Sequence, residues 1–351
     1  MDQYVGPAPV TLEDYHKQVE LQRLLGERID EGNLLEGLEH LIIPDTLVRR
    51  IGHAVNSGRS MLLYGAPGNG KTSVGEVLGA LFQDTIYVPH CIEVDSKIIK
   101  VFDPTIHRRV ADVEDETDTW ERTAQIDHRW VACRRPMIKT GGELTLDMLD
   151  LMYNPISKFY EAPLHVKAIG GTFLVDDLGR QLVKPADLLN RWITPMEKRV
   201  DYLTLNTGRT FTVPFDELVI FSTNLTPEDL MDLAFLRRIP YKVEFRRPTP
   251  EQYRQVFRME CDKYGLPYDE EMIAFCMKKI TEDLGQALSF YQPRFIVEQV
   301  ISACKYEGGD PHFTEAKIID ALDNLSARGA IVSEGGNGGS HVNGGTHVTK
   351  V

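Results

Sequence analysis

A glycine-rich stretch near residue 70 has the residue types and the spacing of a phosphate-binding loop. Residues 65–72 read GAPGNGKT and fit the pattern G-x-x-x-x-G-K-S/T. The glycines let the backbone turn so that successive N–H groups point at an anion, and the helix that follows adds its positive N-terminal end. Lys71 is expected to be an exposed loop cation that reaches the β- and γ-phosphates of a nucleotide, and the Thr72 hydroxyl is expected to bind Mg²⁺.

The surroundings of this loop favour a nucleotide site over a glycine-rich turn without function. An apolar run at 60–64 precedes the loop, and residues 72–82 follow it with helical spacing. Strand, loop and helix therefore come in the order that a phosphate-binding loop requires.

Polar groups end two other buried strands. Residues 170–177 read GGTFLVDD, an apolar strand that ends in Asp176 and Asp177, and the strand 218–224 ends in Asn224. An apolar strand has no structural need for two adjacent acids at its end, so function is favoured over surface decoration. Ligands of parallel sheets collect at the carboxyl ends of strands, where a carboxylate can hold Mg²⁺.

The pattern of the whole chain predicts an α/β domain followed by a helical one. Five strands of one sheet are expected at 60–64, 85–89, 170–177, 218–224 and 241–245. Hairpins are expected over 92–102 and 202–213, a further strand over 130–133 and a helix over 144–159. After a boundary at 246–250, helices near 250–263, 268–283, 293–306 and 314–327 would form a small four-helix domain.

Composition limits the classes of function. The 351 residues carry a formal net charge of −13, which repels a phosphate backbone and disfavours broad nucleic-acid binding. The chain has neither an apolar run long enough to cross a membrane nor a signal peptide, so a cytoplasmic protein without membrane insertion is expected. The five cysteines are scattered and nowhere form C-x-x-C, which argues against both a disulfide framework and a zinc site.

Two segments are predicted to lie outside the packed domains. The acid-rich run 112–118 is expected to be a solvated loop, and the glycine-rich tail 331–351 is expected to be disordered because it cannot bury enough apolar surface.

The order of the motifs resembles that of the AAA+ ATPases over roughly residues 35–330. Residues 65–72 look like Walker A, residues 174–177 look like Walker B, and Asn224 falls at the sensor 1 position. The hairpin 202–213 and the GGT approach to Walker B look most like the pre-sensor-hairpin group. That group includes MoxR-like chaperone ATPases and bacterial enhancer-binding transcription activators.

The resemblance also gives roles to three arginines. Arg237 and Arg238 follow the helix that ends with the arginine finger in this family, and Arg294 opens a lid helix as sensor 2 does. The alternative for Arg237 and Arg238 is that they are cations capping the C-terminus of their helix.

The fold that the resemblance implies is a P-loop five-stranded parallel sheet sandwiched by helices, followed by a small all-α lid. ATP and Mg²⁺ are the implied cofactors, and a homo-oligomeric ring, usually of six subunits, is the implied assembly. The domains are then 1–34 (linker and helix), 35–247 (nucleotide binding, with an insertion at about 90–168), 248–330 (lid) and 331–351 (tail). The residues implied to contact the nucleotide are Ile43, Gly65, Pro67, Gly68, Asn69, Gly70, Lys71, Thr72 and Ser73; those implied to hold Mg²⁺ are Thr72 and Asp176; and those implied in catalysis are Asp177, Asn224, Arg237, Arg238 and Arg294.

One departure from the family bears on turnover. Walker B usually ends in Asp-Glu, whereas this chain has Asp177, whose side chain is shorter by one methylene, about 1.5 Å.

Three functions stay open: an ATP-driven machine that remodels or assembles protein partners, a nucleic-acid-linked ATPase such as a transcription activator or helicase loader, and a slowly hydrolysing nucleotide-gated scaffold. The insertion at about 90–168 is expected to choose the partners, because the rest of the chain is accounted for by nucleotide handling.

Overall fold

The structure is a computed structural model that describes residues 4–24, 28–110, 127–230 and 236–326. The described strands, numbered along the chain, are β1 (Val10–Thr11), β2 (Met61–Tyr64), β3 (Thr85–Pro89), β4 (Cys91–Val94), β5 (Lys97–Lys100), β6 (Trp130–Arg134), β7 (Met137–Thr140), β8 (Met152–Tyr153), β9 (Tyr160–Glu161), β10 (Thr172–Val175), β11 (Val200–Thr204), β12 (Thr210–Pro214), β13 (Leu218–Thr223) and β14 (Tyr241–Glu244). The described α-helices are α1 (Leu12–Leu21), α2 (Glu31–Leu38), α3 (Asp45–Asn56), α4 (Lys71–Ala80), α5 (Leu164–Lys167), α6 (Pro185–Lys198), α7 (Pro227–Leu230), α8 (Pro250–Tyr264), α9 (Glu270–Lys278), α10 (Tyr291–Glu307) and α11 (Glu315–Ser326).

A parallel five-stranded sheet in the order β14-β2-β13-β10-β7 forms the centre of the larger unit. Apolar side chains alternate between its two faces, because successive residues of a strand point to opposite sides. Met61 and Leu63 pack with helices α2, α3 and α4, whereas Leu62 packs with α6 on the other face, around the buried Trp192. The predicted α/β fold, with helices on both faces of a parallel sheet, is confirmed.

The edge strand of this sheet differs from the prediction. Strand β3 was expected in the parallel sheet, but it pairs antiparallel with β6 in a separate two-stranded ribbon. The edge position belongs to β7, which pairs parallel with β10 and which the sequence pattern missed. The β-branched and aromatic residues of β3 indicate a strand, but they do not indicate which sheet the strand joins.

A second β-structure lies in the predicted insertion. Strands β4 and β5 form the expected hairpin and join a mixed sheet in the order β1-β4-β5-β9-β8. Helix α1 packs on its core through Tyr15 and Val19. The helix expected over 144–159 is wrong: a single 3₁₀ turn at Leu146–Leu149 is followed by β8 and β9. Asn154 and Pro155 favour a turn at that point.

A buried ion pair holds α6 against the hairpin β11–β12. The Arg191 guanidinium binds both carboxylate oxygens of Asp201 at 2.7 Å, and His165 Nε2 lies 2.8 Å from Asp201 Oδ2. Burial opposes the ionisation of Asp201, but His165 and Arg191 outweigh burial and hold its pKa at about 2. Removing one partner of such a pair typically costs about 3–5 kcal/mol. The predicted hairpin is confirmed by the antiparallel pairing of β11 with β12, and the ion pair attaches it to α6.

The described residues form two compact units. One contains the described residues up to Gln252 together with Ser289–Tyr291, and the other contains Tyr253–Leu288 and the described residues from Gln292 to Ser326. The second unit is helical, and α8, α9, α10 and α11 surround a core that includes Phe257, Ile273 and Val300. The four helices expected after residue 250 are thus present, while the domain limits given from the sequence stay predictions. The predicted acid-rich loop 112–118 and the tail 331–351 lie outside the described residues.

No helix in the described part of the chain combines the length and the apolar character needed to cross a membrane.

Candidate nucleotide-binding site

The glycine-rich loop connects β2 to α4 at the carboxyl edge of the parallel sheet. Gly65, Gly68 and Gly70 all have positive φ angles, of 137°, 74° and 84°, and Gly70 is the residue before α4. A Cβ at Gly65 would collide with the carbonyl oxygen of Phe245, so only glycine fits there. The loop therefore has the strand, turn and helix geometry expected of a phosphate cradle.

Lys71 is not the exposed cation that the sequence pattern suggested. Its side chain is buried, and Nζ donates to the carbonyl oxygens of Gly65 and Ala66, both at 2.9 Å, and to Asn224 Oδ1 at 2.8 Å. Burial lowers the pKa of Lys71, and the carboxylates of Asp177 and Asp176 act in the opposite direction. The expectation of an exposed cation is therefore wrong, and the three acceptors supply the hydrogen bonds that a buried ammonium needs.

The hydroxyl of Thr72 and the carboxylate of Asp176 meet where the loop faces β10. Thr72 Oγ1 donates to Asp176 Oδ1 at 2.9 Å, and the Asp177 backbone N–H donates to the same oxygen at 3.1 Å. Oxygen donors of this kind are what Mg²⁺ prefers. Among the described residues no group of three or more histidines, cysteines or acids suits a metal, so any ion here would also need nucleotide or water oxygens.

The second carboxylate is held by the end of the neighbouring strand. Asn224 follows β13, and its Nδ2 donates to Asp177 Oδ1 at 2.9 Å while its Oδ1 accepts from Lys71. Asp177 has a φ of 50°, a left-handed conformation that aspartate adopts more readily than most residues. The structure therefore brings the predicted residues Lys71, Thr72, Asp176, Asp177 and Asn224 into one connected group.

Asn69 provides a test of whether the loop fits a nucleotide. The residue is 4% exposed, and neither its amide nitrogen nor its amide oxygen has a hydrogen-bond partner in the described protein. A buried amide without partners costs free energy, which an anionic ligand could recover. Pro67 is exposed in the loop, Ser73 is half-buried just after it, and Ile43 packs against the core that includes α3. Their predicted nucleotide contacts stay predictions.

Three residues at the site were missed by the sequence analysis. Gln181 Nε2 donates to the carbonyl oxygen of Asp176 at 2.9 Å, and Gln181 Oε1 accepts from the Gly179 N–H at 2.8 Å, which closes the turn after β10. Lys139, on β7, donates to Glu76 at 2.7 Å, and this hydrogen bond raises its pKa. The only available signal for Gln181 is its position in a glycine-containing turn just after the paired acids.

The third missed residue is Tyr291, the first residue of α10. Its backbone N–H donates to the carbonyl oxygen of Gly68 at 3.1 Å, and its ring covers the Cα of Gly68 so closely that a side chain at position 68 would displace it. The two residues are 223 positions apart, so no local sequence pattern could predict their contact.

Two of the three predicted arginines, Arg238 and Arg294, form ion pairs within the chain. Arg238 Nε donates to Glu197 Oε1 at 2.6 Å and is partly exposed, whereas Arg237 is exposed. Arg294 lies in the helical unit and donates to Glu298 Oε1 at 2.8 Å. Their proposed roles at a phosphate stay predictions.

Comparisons with known proteins give only partial likenesses. A family model described as "Domain of unknown function (DUF8689)" matches residues 249–324, and a comparison with curated proteins found no match. Among solved structures, NtrX from Brucella abortus is similar with a TM-score of 0.49 and 12% identity over 80% of this chain. This chain covers 56% of the NtrX chain, a little over half of its length.

Two proteins of Thermotoga maritima are similar to a comparable degree. Domain III of the replication initiation protein DnaA gives a TM-score of 0.45 with 11% identity, covering 82% of this chain and 95% of that chain. The RuvB Holliday junction branch migration motor gives a TM-score of 0.45 with 11% identity, covering 82% and 71%. Each TM-score is below 0.5, so the function is inferred from the site itself.

The bonds of Lys71 predict a measurable effect on stability without any ligand. In Lys71→Met, two backbone carbonyls and the Asn224 amide lose their donor in a buried place, so the free energy of unfolding should fall by about 1–3 kcal/mol. Urea unfolding of the nucleotide-free protein measures this, with Lys97→Met on β5 as the control. Equal stabilities of Lys71→Met and the unchanged protein would mean that these bonds do not stabilise the loop.

Proposed function

We propose that this chain is a Mg²⁺-dependent ATPase of the AAA+ class. The observation that supports the proposal is the convergence of five predicted residues at the carboxyl ends of three adjacent strands, β2, β13 and β10. A turn of glycines before a helix, a lysine, a hydroxyl and two acids provide for anion binding, cation binding and water activation in one place.

The proposed division of work follows from the contacts. The backbone N–H groups of the loop and the Lys71 ammonium bind the β- and γ-phosphates. Thr72 and Asp176 would hold Mg²⁺, which when bound neutralises charge on the phosphate oxygens. Asn224, now between Lys71 and Asp177, is placed to orient the attacking water beside the γ-phosphate. Asp177 accepts the proton of that water.

Asp177 favours slow turnover in this proposal. Its carboxylate is about 1.5 Å shorter in reach than the glutamate usual in the family. It is also hydrogen-bonded to Asn224, so an attacking water competes with an internal donor for the same oxygen. A rate below that of enzymes with glutamate is the expected consequence.

Substitutions of the two acids should separate binding from turnover. Asp176→Ala should weaken Mg²⁺-dependent binding of a fluorescent ATP analogue, because the oxygen beside Thr72 is lost. Asp177→Asn keeps an oxygen acceptor for Asn224 and should bind the nucleotide normally, but it should lose turnover by about 10²-fold or more. Phosphate release in a coupled assay measures the rate.

Two results would contradict these assignments. Normal hydrolysis by Asp177→Asn would mean that another group activates the water. If the unchanged protein does not bind the nucleotide, the assignment of the site is wrong. Running the assay with and without DNA also distinguishes the nucleic-acid-linked alternative, which predicts stimulation by DNA.

We further propose a homo-oligomeric ring, with six subunits as the expected number, in which Arg238 or Arg237 completes the site of a neighbour. Phosphoryl transfer gains from an added positive charge, and an arginine delivered in trans can contribute about 10³ to 10⁵ in rate. In the single chain Arg238 is held by Glu197, on α6, so assembly would have to exchange this partner for a phosphate.

Mixing two inactive variants tests the arginine in trans. Arg237→Ala/Arg238→Ala and Asp177→Asn should each bind ATP and be nearly inactive, and their mixture should regain intermediate activity, because a mixed ring contains interfaces with neither defect. Light scattering verifies that mixed rings form. If mixed rings form and stay inactive, the arginines act within their own subunit or only cap their helix.

The partners that we propose are proteins, contacted through the insertion at about 90–168. Support comes from three exposed apolar side chains around β8, namely Met152, Tyr153 and Ile156, with relative exposures of 54%, 38% and 81%. Exposed apolar groups close together are typical of surfaces that contact other proteins.

A further inference from the structure

Lys139 places a positive charge beside the acid that is proposed to bind Mg²⁺. It lies on β7, the edge strand next to β10, and its side chain is 43% exposed. Lys139 Nζ is 3.5 Å from Asp176 Oδ2 and 2.7 Å from Glu76 Oε1, on α4. The ammonium therefore sits between two carboxylates, only one of which belongs to the proposed metal site.

The two carboxylate oxygens of Asp176 have different partners. Oδ1 accepts from the Thr72 hydroxyl and from the Asp177 N–H, and Oδ2 faces Lys139. The Asp176 side chain is 15% exposed and the Lys139 side chain 43%, so solvent screens the pair only in part. A divalent cation that approaches Asp176 thus meets an oxygen whose charge is already partly compensated by the chain.

The charge of Lys139 has two opposing effects at Asp176. An ammonium near Asp176 attracts the carboxylate and repels Mg²⁺, and both effects grow as the effective dielectric constant falls below that of water. Glu76 offers the same ammonium a second acceptor, at the shorter distance, on a helix surface outside the metal site. The lysine can therefore leave Asp176 without losing an ionic partner.

We propose that Lys139 is a positioning residue that competes with Mg²⁺ for Asp176 and moves fully onto Glu76 when the ion binds. The inference rests on the proposed Mg²⁺-dependent nucleotide binding and adds a determinant of its cation dependence. Lys139 raises the Mg²⁺ concentration that the site requires, and Glu76 lowers it.

A Mg²⁺ titration of the full chain with a fluorescent ATP analogue measures this without relying on turnover. Lys139→Met should lower the Mg²⁺ midpoint roughly 3- to 10-fold, because the positive charge that competes for Asp176 is removed. Glu76→Gln should raise the midpoint, because Lys139 then has only Asp176 as its partner. In the Lys139→Met background, Glu76→Gln should have no effect, because the lysine through which Glu76 acts is gone.

Two further variants separate the proposal from a general effect of charge. Lys139→Arg keeps the cation and should keep a midpoint close to that of the unchanged protein. Lys242→Met removes one positive charge from β14, at the opposite edge of the same sheet, and should leave the midpoint unchanged. Additive shifts from Glu76→Gln and Lys139→Met, or an equal shift in Lys242→Met, would overturn the proposal in favour of a long-range charge effect.

The outcomes are distinct from those that test the proposed function. Failure of the unchanged protein to bind the analogue at any Mg²⁺ concentration would overturn the proposed function and this inference with it. Normal binding with an unmoved midpoint in Lys139→Met would overturn this inference alone. Weaker binding of Lys139→Met in EDTA, without Mg²⁺, would also overturn it, because the lysine would then be a direct phosphate ligand.

Discussion

The ammonium of Lys71 is the group on which the rest of the site depends. It is buried, and a buried charge is stable only when acceptors surround it. Its three acceptors come from the loop after β2 and from Asn224 at the end of β13, and Asn224 in turn holds Asp177 at the end of β10. One cation thus ties together the carboxyl ends of three neighbouring strands.

Most polar side chains of the candidate site have hydrogen-bond partners within the chain. Lys71 binds carbonyl oxygens, Asp176 is shared between Thr72 and Lys139, and Asp177 is held by Asn224. Binding of a nucleotide would exchange these internal bonds for bonds to phosphate, so the affinity is the difference between two sets of interactions. The buried amide of Asn69 is the exception, since it has no partner to give up.

The clustering of Lys71, Thr72, Asp176, Asp177 and Asn224 could be predicted from the sequence because these residues lie next to strands with strong patterns. Glycines with positive φ, a lysine and a hydroxyl follow β2, and two acids follow the wholly buried β10, so spacing alone brings them to one edge. The edge strand β7 was missed because it is short and carries the polar Lys139 and Thr140. Lys139, Gln181 and Tyr291 were missed as site residues because their contacts depend on tertiary packing. The burial of Lys71 was missed for the same reason, since a loop lysine in a sequence gives no sign of the carbonyls that surround it.

The most direct test of this account is a crystal structure of the protein with Mg²⁺ and a non-hydrolysable ATP analogue. The account predicts the β- and γ-phosphates within hydrogen-bond distance of the backbone N–H groups of residues 68–72, with Lys71 Nζ moved from the carbonyls of Gly65 and Ala66 onto phosphate oxygen. It also predicts Thr72 Oγ1 as a ligand of the ion and Asp176 beside it. A nucleotide bound elsewhere, or Lys71 still on its carbonyls with the analogue present, would contradict it.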